Sequence, residues 1–125
     1  MIHGIGVDLI RVARIAEVLE RHGDRFTNKL LHPAERAALA GAANRANFVA
    51  KSWAVKEAFG KALGTGVRGY ANPEVGVERR EHGKPWLVYS DAMAQRLASL
   101  GIAGGHVSIT DEDGSVVAFV VLERA

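Results

Sequence analysis

The sequence predicts an α+β fold, an antiparallel sheet with a long helix packed on it, and three observations lead to this class. The 125 residues are 48% hydrophobic and 24% charged, which is typical of a globular chain that buries a sizeable core. After the first ten residues, apolar residues recur mainly with helical spacing up to residue 63, and strand patterns predominate from residue 74 onwards. His82-Gly83 and Asp113-Gly114 each separate two strand patterns, as hairpin turns do. Without repeats or linkers, residues 1–125 are expected to form a single domain.

The first half of the chain predicts one strand followed by helices. Residues 2–10 alternate apolar residues with glycines, which favours a strand approached closely by another backbone. A helix follows, and Gly23 is placed to end it. Two short helices are predicted over residues 24–31 and from Pro33, a residue favoured in first turns, to about Leu39. The longest helical pattern covers residues 44–63.

The second half predicts two hairpins with a helix between them. The first hairpin joins strands over residues 74–81 and 84–90. Ser90 and Asp91 can cap a helix that ends near Leu100. The second hairpin joins residues 105–112 and 115–123. Its last strand is continuously apolar, so we expect that strand to be buried on both faces.

Composition and patterning exclude several classes of protein. The chain has no cysteine, which excludes disulfides and thiolate metal sites. The N-terminal apolar run is broken by His3 and Asp8 and has no basic segment before it, unlike a secretory signal. No stretch approaches the roughly 20 apolar residues of a membrane span. We therefore expect a cytoplasmic protein with no membrane association.

The charge of the chain is unevenly distributed. Residues 1–61 contain ten Lys and Arg against six Asp and Glu, whereas residues 62–125 contain six against eight. A basic half favours an anionic partner, but the excess is too small to indicate nucleic acid. Aromatic residues do not alternate with the basic ones, as they do in single-strand binders. We expect no nucleic-acid partner.

The segment "WAVKEAFGKALGTGV" carries the main candidate chemistry. Glu57 and Lys61 are four residues apart and share a helix face, which alone is typical of a surface ion pair. Here small and apolar residues surround the pair, and Gly64-Thr65-Gly66 follows at once. The backbone amides of such a turn can approach a phosphate closely. The order is not that of a P-loop, and a plain helix C-cap is the alternative.

Asp8 is the second carboxylate of interest, because it closes an apolar strand pattern. The alternative role is N-cap of the following helix. If Asp8 meets Glu57 in space, the two supply the hard oxygen ligands that suit Mg²⁺, which proteins usually bind through one or two carboxylates plus substrate phosphates. The sequence leaves open whether they meet.

Two segments in combination, "GIGVDLIRVARI" and "WAVKEAFGKALGTGV", resemble the signatures of the holo-[acyl-carrier-protein] synthases. These are the small, bacterial-type 4′-phosphopantetheinyl transferases. "GKP" and "HVSIT" follow in the family's order, so the resemblance covers essentially the whole chain. It implies a 4′-phosphopantetheinyl transferase-like fold and a transfer reaction of fatty acid biosynthesis. In that reaction the 4′-phosphopantetheine arm of coenzyme A moves to a serine hydroxyl of apo acyl carrier protein, releasing 3′,5′-ADP.

The resemblance also implies Mg²⁺ dependence, a homotrimer with active sites between subunits, and roles for individual residues. Asp8 and Glu57 would be the Mg²⁺ ligands, and Glu57 would help remove the serine proton directly or through a metal-bound water. Lys61 would neutralise or protonate the leaving group, and His106 would contact coenzyme A from a neighbouring subunit. The full set expected at the coenzyme is Lys61, Gly64, Thr65, Gly66, Gly83, Lys84, Pro85 and His106.

Four basic residues are expected to dock the carrier protein: Arg11, Arg14, Arg21 and Arg25. Acyl carrier proteins are acidic, so complementary charge would steer the encounter. The arginines stay near one face if the helix continues past Gly23. The alternative is a solvated helix face, because acidic residues are interleaved with the basic ones.

The chain departs from the family pattern at two positions. Ser52 stands where the family commonly has a basic residue, and Lys51 cannot simply replace it, because adjacent helical residues point about 100° apart. Asp111 stands where a second histidine sometimes follows "HVSIT", and it is assigned no role. The remaining histidines are interpreted as surface or capping residues: His3, His22, His32 and His82.

Two other functions stay open from the residues alone. One is a module that binds a carrier protein through its basic helix without catalysis. The other is a metal-dependent hydrolase that cleaves coenzyme A to 3′,5′-ADP without an acceptor. The first would leave the Glu57–Lys61 pair merely structural, and the second would release 3′,5′-ADP with no carrier protein present.

Overall fold

Five strands and five helices make up the computed structural model, which describes residues 1–125 and confirms the α+β class. In chain order they are β1 (Ile2–Arg11), α1 (Val12–His22), α2 (Asp24–Leu30), α3 (Pro33–Leu39), α4 (Arg45–Leu63), β2 (Val75–Arg79), β3 (Pro85–Tyr89), α5 (Asp91–Ser99), β4 (Ile102–Glu112) and β5 (Ser115–Arg124). Every predicted element is present. The largest difference in extent is β4, which begins three residues before the predicted position.

The strands form two antiparallel sheets. β5 lies between β1 and β4 in a three-stranded sheet, and β2 pairs with β3 in a separate hairpin. The predicted turns are both present: His82 and Gly83 adopt φ of 60° and 73°, and Asp113 and Gly114 adopt φ of 50° and 75°. These left-handed conformations suit Asx and glycine residues in tight hairpins. The N- and C-terminal strands therefore meet in one sheet, with Asp8 opposite Ala118.

Helix α4 packs across one face of the three-stranded sheet. Glycines in β1 make this contact possible, because a Cβ at Gly4 would collide with the carbonyl of Ala62 and a Cβ at Gly6 with that of Ala58. Asn44 caps the helix by accepting a hydrogen bond from the Asn47 amide at 3.0 Å. The alternating glycines in the β1 pattern thus predict the close backbone approach that is found.

The prediction for β5 was wrong. Its residues facing α4 are fully buried, whereas Phe119 on the opposite face is 40% exposed. Neighbouring β1 adds Ile5, Val7 and Leu9, which are 58%, 51% and 66% exposed. The continuous apolar run therefore has one face on the core and one face open. We call this second face the open sheet face; its apolar members are Ile5, Val7, Leu9, Val117, Phe119 and Val121.

The beginnings and ends of the first helices differ from two of the possibilities considered. Asp8 lies inside β1, and Arg11 occupies the N-cap position of α1, so Asp8 is not a helix cap. Gly23, with φ of 51°, ends α1 and α2 begins anew at Asp24, so Arg14 and Arg21 lie on α1, Arg25 lies on α2, and Arg11 lies at the end of β1. His32 does cap α3, accepting from the Ala34 amide at 3.0 Å. None of the five helices combines the length and apolar character needed to cross a bilayer.

Candidate active site

The strand alternation in β1 sends Val7 and Leu9 to the open sheet face and turns Asp8 toward α4. There the Lys61 ammonium lies 3.7 Å from Asp8 Oδ1 and donates a hydrogen bond of 2.8 Å to the Val7 carbonyl. The Asp8 side chain is 16% exposed and that of Lys61 is 54% exposed. A carboxylate set into the surface is thus paired with a lysine that also reaches solvent.

Glu57 joins this group from one helical turn before Lys61. Partial burial raises the pKa of Glu57, and the negative charge of Asp8 raises that pKa further, against the opposing effect of Lys61. The pKa of Asp8 is likewise raised by burial and lowered by Lys61 and Arg14. The structure therefore brings together the three predicted catalytic residues, as electrostatic neighbours.

The two carboxylates fit a divalent cation. Asp8 Oδ2 is buried and has no hydrogen-bond partner, a state that costs about 1–3 kcal/mol for a buried acceptor. A cation held between Asp8 and Glu57 would satisfy that oxygen and offset the repulsion between the two charges. No cluster of three acidic or histidine ligands is present. The donor set is that of an ion such as Mg²⁺, whose remaining ligands come from substrate and water.

The glycine turn after α4 acts as a helix C-cap, the alternative considered above. Gly64 adopts φ of 96° and its amide donates to the carbonyls of Gly60 and Lys61, at 3.1 and 3.2 Å. The Gly66 amide also donates to the Gly60 carbonyl, at 3.0 Å. A Cβ added at Gly64 or Gly66 would meet nothing within 4 Å. The turn therefore leaves room for an approaching group beside Gly64 and Gly66, and Thr65 between them is exposed.

His3 supports the same helix end. Arg124 Nε donates to His3 Nδ1 at 3.1 Å, so the proton of the neutral ring resides on Nε2. His3 Nε2 lies 3.2 Å from the Leu63 carbonyl and donates to it. This is the capping role expected for the non-catalytic histidines, here at the helix that carries Glu57.

The predicted coenzyme residues Lys84, Pro85 and His106 line a separate cleft of about 370 Å³. Trp86 forms its wall and lies beneath two cations, Arg80 at 4.7 Å and Lys84 at 5.2 Å from the ring centroid. Sequence reasoning missed Trp86, although a tryptophan directly after "GKP" was the available signal. Gly83 lies at the turn of the hairpin, where its carbonyl accepts from Arg79 at 3.1 Å.

His106 and Asp8 face opposite sides of the three-stranded sheet. His106 pairs with Val121 of β5, whose side chain belongs to the open sheet face, and is 64% exposed. Its Nε2 lies 3.0 Å from Glu123 Oε2. Asp8 pairs with Ala118, which is fully buried under α4. A single chain therefore keeps the cleft with His106 apart from the Asp8–Glu57–Lys61 group.

All four arginines predicted to dock a partner are exposed. Arg14 lies close enough to Asp8 for its charge to lower the pKa of that carboxyl. Arg25 lines a shallow cleft of about 220 Å³ together with His22, Phe26 and Lys29. Basic side chains thus extend from beside Asp8 to the surface of α2.

Ser52 and Lys51 lie away from the face of α4 that carries Glu57 and Lys61. Ser52 is 1% exposed and borders a cleft of about 440 Å³ between α3, α4 and the β2–β3 hairpin. Lys51 lies 3.5 Å from one oxygen of Asp111, and the other oxygen accepts from the Asn47 amide group at 3.2 Å. A longer residue at position 52 would extend into this cleft. The contacts of Asp111 are with Lys51 and Asn47 of the same chain.

Comparison with known proteins shows the family of the chain. A sequence model of the 4′-phosphopantetheinyl transferase superfamily matches residues 4–119. The holo-[acyl-carrier-protein] synthase of Aromatoleum aromaticum is 46% identical over 125 residues, covering 99% of both chains. That of Dechloromonas aromatica is 47% identical over 126 residues, covering 100% of both.

Solved structures show the same fold. The crystal structure of holo-[acyl-carrier-protein] synthase from Neisseria meningitidis superposes with a TM-score of 0.95 at 38% identity, covering 99% of this chain and 100% of that one. A holo-(acyl-carrier-protein) synthase from Bacillus anthracis, solved in complex with CoA (3′,5′-ADP), gives a TM-score of 0.82 at 34% identity, covering 100% and 99%. The chain belongs to the 4′-phosphopantetheinyl transferase superfamily, and within it to the holo-[acyl-carrier-protein] synthases.

Proposed function

We propose that this chain transfers the 4′-phosphopantetheine arm of coenzyme A to a serine hydroxyl of apo acyl carrier protein. The products are holo carrier protein and 3′,5′-ADP. The observation that carries the proposal is the group of Asp8, Glu57 and Lys61, which combines a buried carboxylate oxygen without a partner with a half-exposed ammonium. Family membership and the coenzyme bound to the Bacillus anthracis relative support it.

The chemistry needs a cation and a positive donor more than a strong nucleophile. In phosphoryl transfer, negative charge accumulates on the equatorial and leaving oxygens. The serine oxygen forms a bond to the β-phosphorus of coenzyme A, and the bond from that phosphorus to the bridging oxygen breaks. Glu57 accepts the serine proton, and burial and the charge of Asp8, which raise its pKa, favour that role. Lys61 stabilises the charge on the departing 3′,5′-ADP.

We propose Mg²⁺ as the cofactor, held by Asp8 and Glu57. When bound, it would supply the charge neutralisation that a pyrophosphate requires. A binding test is independent of catalysis: Mg²⁺ should raise the melting temperature of the protein, because a ligand that binds only the folded state stabilises it. Asp8→Asn should abolish that increase. An equal increase in both proteins would contradict the assignment.

The coenzyme site is proposed to combine two parts of the molecule. The outer side of the Gly64-Thr65-Gly66 turn would face the phosphates, and the cleft with Lys84, Pro85 and His106 would hold the remainder. Gly83 sets the turn that presents Lys84 and Pro85. Because His106 and Asp8 are on opposite faces of the sheet, the complete site needs a second copy of the chain.

A homotrimer with active sites between subunits is the assembly we propose. The open sheet face exposes residues such as Val7, Leu9 and Phe119, and contiguous apolar surface of this kind is usually covered by a partner. His106 lies at its border, so packing through this face would place His106 between subunits. The number three rests on the resemblance. Light scattering should give three times the chain mass, and Phe119→Glu should give a smaller species.

Four exposed arginines, at the end of β1 and on α1 and α2, are proposed as the docking face for an acidic carrier protein: Arg11, Arg14, Arg21 and Arg25. Among these arginines, Arg14 lies near the proposed active site, because its charge lowers the pKa of Asp8. The face therefore leads toward the group that would receive the serine. A cytoplasmic location and a place in fatty acid biosynthesis belong to the same proposal and rest on the resemblance.

Mass spectrometry of apo carrier protein incubated with coenzyme A, Mg²⁺ and this protein tests the reaction. The expected result is carrier protein with the added arm and an equal amount of 3′,5′-ADP. Omitting carrier protein should suppress 3′,5′-ADP release, whereas a hydrolase would continue to release it. Carrier protein that binds but stays unmodified would instead indicate a binding module.

A further inference from the structure

A second charged pair lies on α4, on the face away from Asp8. Lys56 and Glu35 are 1% and 0% exposed, and the Lys56 ammonium lies 2.7 Å from Glu35 Oε1. The proposed reaction uses neither residue. Burial lowers the pKa of Lys56, and the charge of Glu35 opposes that effect. Isolated charges are rarely buried this deeply unless a specific partner compensates them.

The pair is tied to the backbone of the β2–β3 hairpin on both sides. Lys56 donates its second hydrogen bond to the carbonyl of Val75, and Glu35 Oε2 accepts from the Val77 amide at 3.1 Å. Between them lies Gly76, where a Cβ would come within 2.6 Å of His32 Cβ and 2.9 Å of Glu35 Cδ. Strand β2 is thus held directly against the charged pair, with no room for a side chain.

The elements joined in this way each carry part of a proposed coenzyme site, and in the proposed assembly each part meets its complement from another copy of the chain. Helix α4 holds Glu57, the next residue after Lys56, and Lys61. The β2–β3 hairpin holds Lys84 and Pro85, which line the cleft with His106. The hairpin is a separate sheet with no backbone pairing to the three-stranded sheet. Its position relative to α4 therefore depends on side-chain contacts, which are the apolar packing of Val75 and Leu87 in the core and the buried charged pair.

We propose that Glu35 and Lys56 are positioning residues for coenzyme binding, which fix the β2–β3 hairpin on the helix that carries Glu57. The inference rests on the proposed function, because it assumes that Lys84 and its cleft contact coenzyme A. The pair acts through the hairpin and touches neither substrate.

The test is the double variant Glu35→Leu/Lys56→Met, which removes both charges while keeping apolar volume. Replacing a whole buried pair by hydrophobic residues is often neutral for stability, so the variant should fold. It loses the ties to the Val75 carbonyl and Val77 amide. We expect KM for coenzyme A to rise about tenfold, with KM for carrier protein nearly unchanged. A merely structural role would lower the melting temperature and leave both KM values as they were.

Gly76→Ala provides the same test without removing a charge. Its methyl group would push the hairpin away from Glu35, so the same selective rise in KM for coenzyme A is expected. This variant decides the question if the double variant does not fold. The matched control is Asp24→Asn/Arg45→Gln. It removes an exposed ion pair of 2.9 Å between the first residue of α2 and the first residue of α4, and it should change neither KM.

An unchanged KM for coenzyme A in a folded variant of either kind would overturn the positioning role. Lys84→Ala distinguishes this failure from that of the coenzyme cleft itself. If Lys84→Ala raises KM for coenzyme A while the pair variants do not, the proposed coenzyme role of the cleft is supported and the positioning role is wrong. If wild-type protein transfers no arm at all, the proposed function fails independently of the pair.

Discussion

The two faces of α4 treat charge in opposite ways. Lys56 and Glu57 are adjacent in sequence, but about 100° of helix rotation separates their side chains. On the Lys56 side, a fully buried ammonium and carboxylate satisfy each other and two backbone groups of β2. On the Glu57 side, two carboxylates repel each other and one oxygen of Asp8 has no partner, although this side is closer to solvent.

The comparison distinguishes two roles for charged side chains. The buried Glu35–Lys56 pair stabilises the fold, whereas the group of Asp8, Glu57 and Lys61 is proposed to bind a ligand. A satisfied buried pair resists change, because removing either partner leaves an unpaired charge in the interior. An unsatisfied group near the surface is costly to the free protein, and a bound cation would remove that cost. The buried pair should therefore control stability, and the half-exposed group should control chemistry.

Lys56→Met should produce the largest effect and separate the two faces most clearly. It leaves Glu35 charged in a fully buried position, so the free energy of unfolding should fall by about 3–5 kcal/mol. Urea denaturation monitored by tryptophan fluorescence measures this change. Lys61→Met, four residues away and half-exposed, is the comparison and should cost far less. Similar losses for the two variants would contradict the distinction.

Glu57→Gln should have the reverse profile. It removes a proposed metal ligand and proton acceptor, and the rate of arm transfer should fall by about 100-fold to 1,000-fold. The fold should be preserved, because the charge that is removed is disfavoured by burial and by Asp8. Mass spectrometry measures the transfer rate, and the melting temperature shows whether the fold is preserved. Turnover like that of the wild type would exclude the proposed role of Glu57.

The pH dependence of stability provides a finer test of the Glu57 side. With divalent ions removed by chelation, the raised pKa of Glu57 means that the folded state holds its proton more tightly than the unfolded state. The free energy of unfolding of the wild type should therefore decrease as pH rises from the ordinary glutamate value of 4.5 through the raised value. Glu57→Gln lacks this contribution.

Melting temperatures of the two proteins between about pH 4 and pH 8 measure the effect. The variant should be the more stable protein at neutral pH, and its advantage should vanish at the acid end. A variant that is less stable than the wild type at neutral pH would show that Glu57 also serves the fold.

What the sequence could predict follows from how local each feature is. The shared helix face of Glu57 and Lys61 depends only on helical spacing. The alternating glycines of β1 likewise predict a close backbone contact, without identifying the element that makes it. The convergence of Asp8 on α4 was left open, because it depends on the register of β1 against β5. The Glu35–Lys56 pair was missed because 21 residues separate its members and a lysine in a helix normally suggests solvent.

The error at β5 has a different physical origin. A continuous apolar strand predicts that both faces avoid water, but it does not say whether the covering atoms come from the same chain. Here α4 covers Val116 and Val120, while Phe119 faces outward. The same pattern would be satisfied in full if another copy covered the open sheet face, so the wrong prediction for one chain is consistent with the proposed assembly.

The smallest effect expected comes from Arg14, which acts on the Glu57 side from a distance. Arg14→Glu should raise KM for carrier protein by up to about tenfold, because exposed charges mainly change the rate of encounter with an acidic partner. KM for coenzyme A should change much less. Arg36→Glu, an exposed reversal on α3, alters the net charge equally and should leave KM for carrier protein near its wild-type value.

Salt gives an independent check on the Arg14 result. Interactions between exposed charges are screened within about 10 Å at 0.1 M ionic strength. The difference in KM for carrier protein between Arg14→Glu and the wild type should therefore shrink as salt is added. A difference that persists at high salt would instead implicate Asp8, since Arg14 also lowers the pKa of that carboxyl. In that case Arg14→Glu would weaken coenzyme turnover as well, and the arginine would belong to the catalytic group rather than to the docking face.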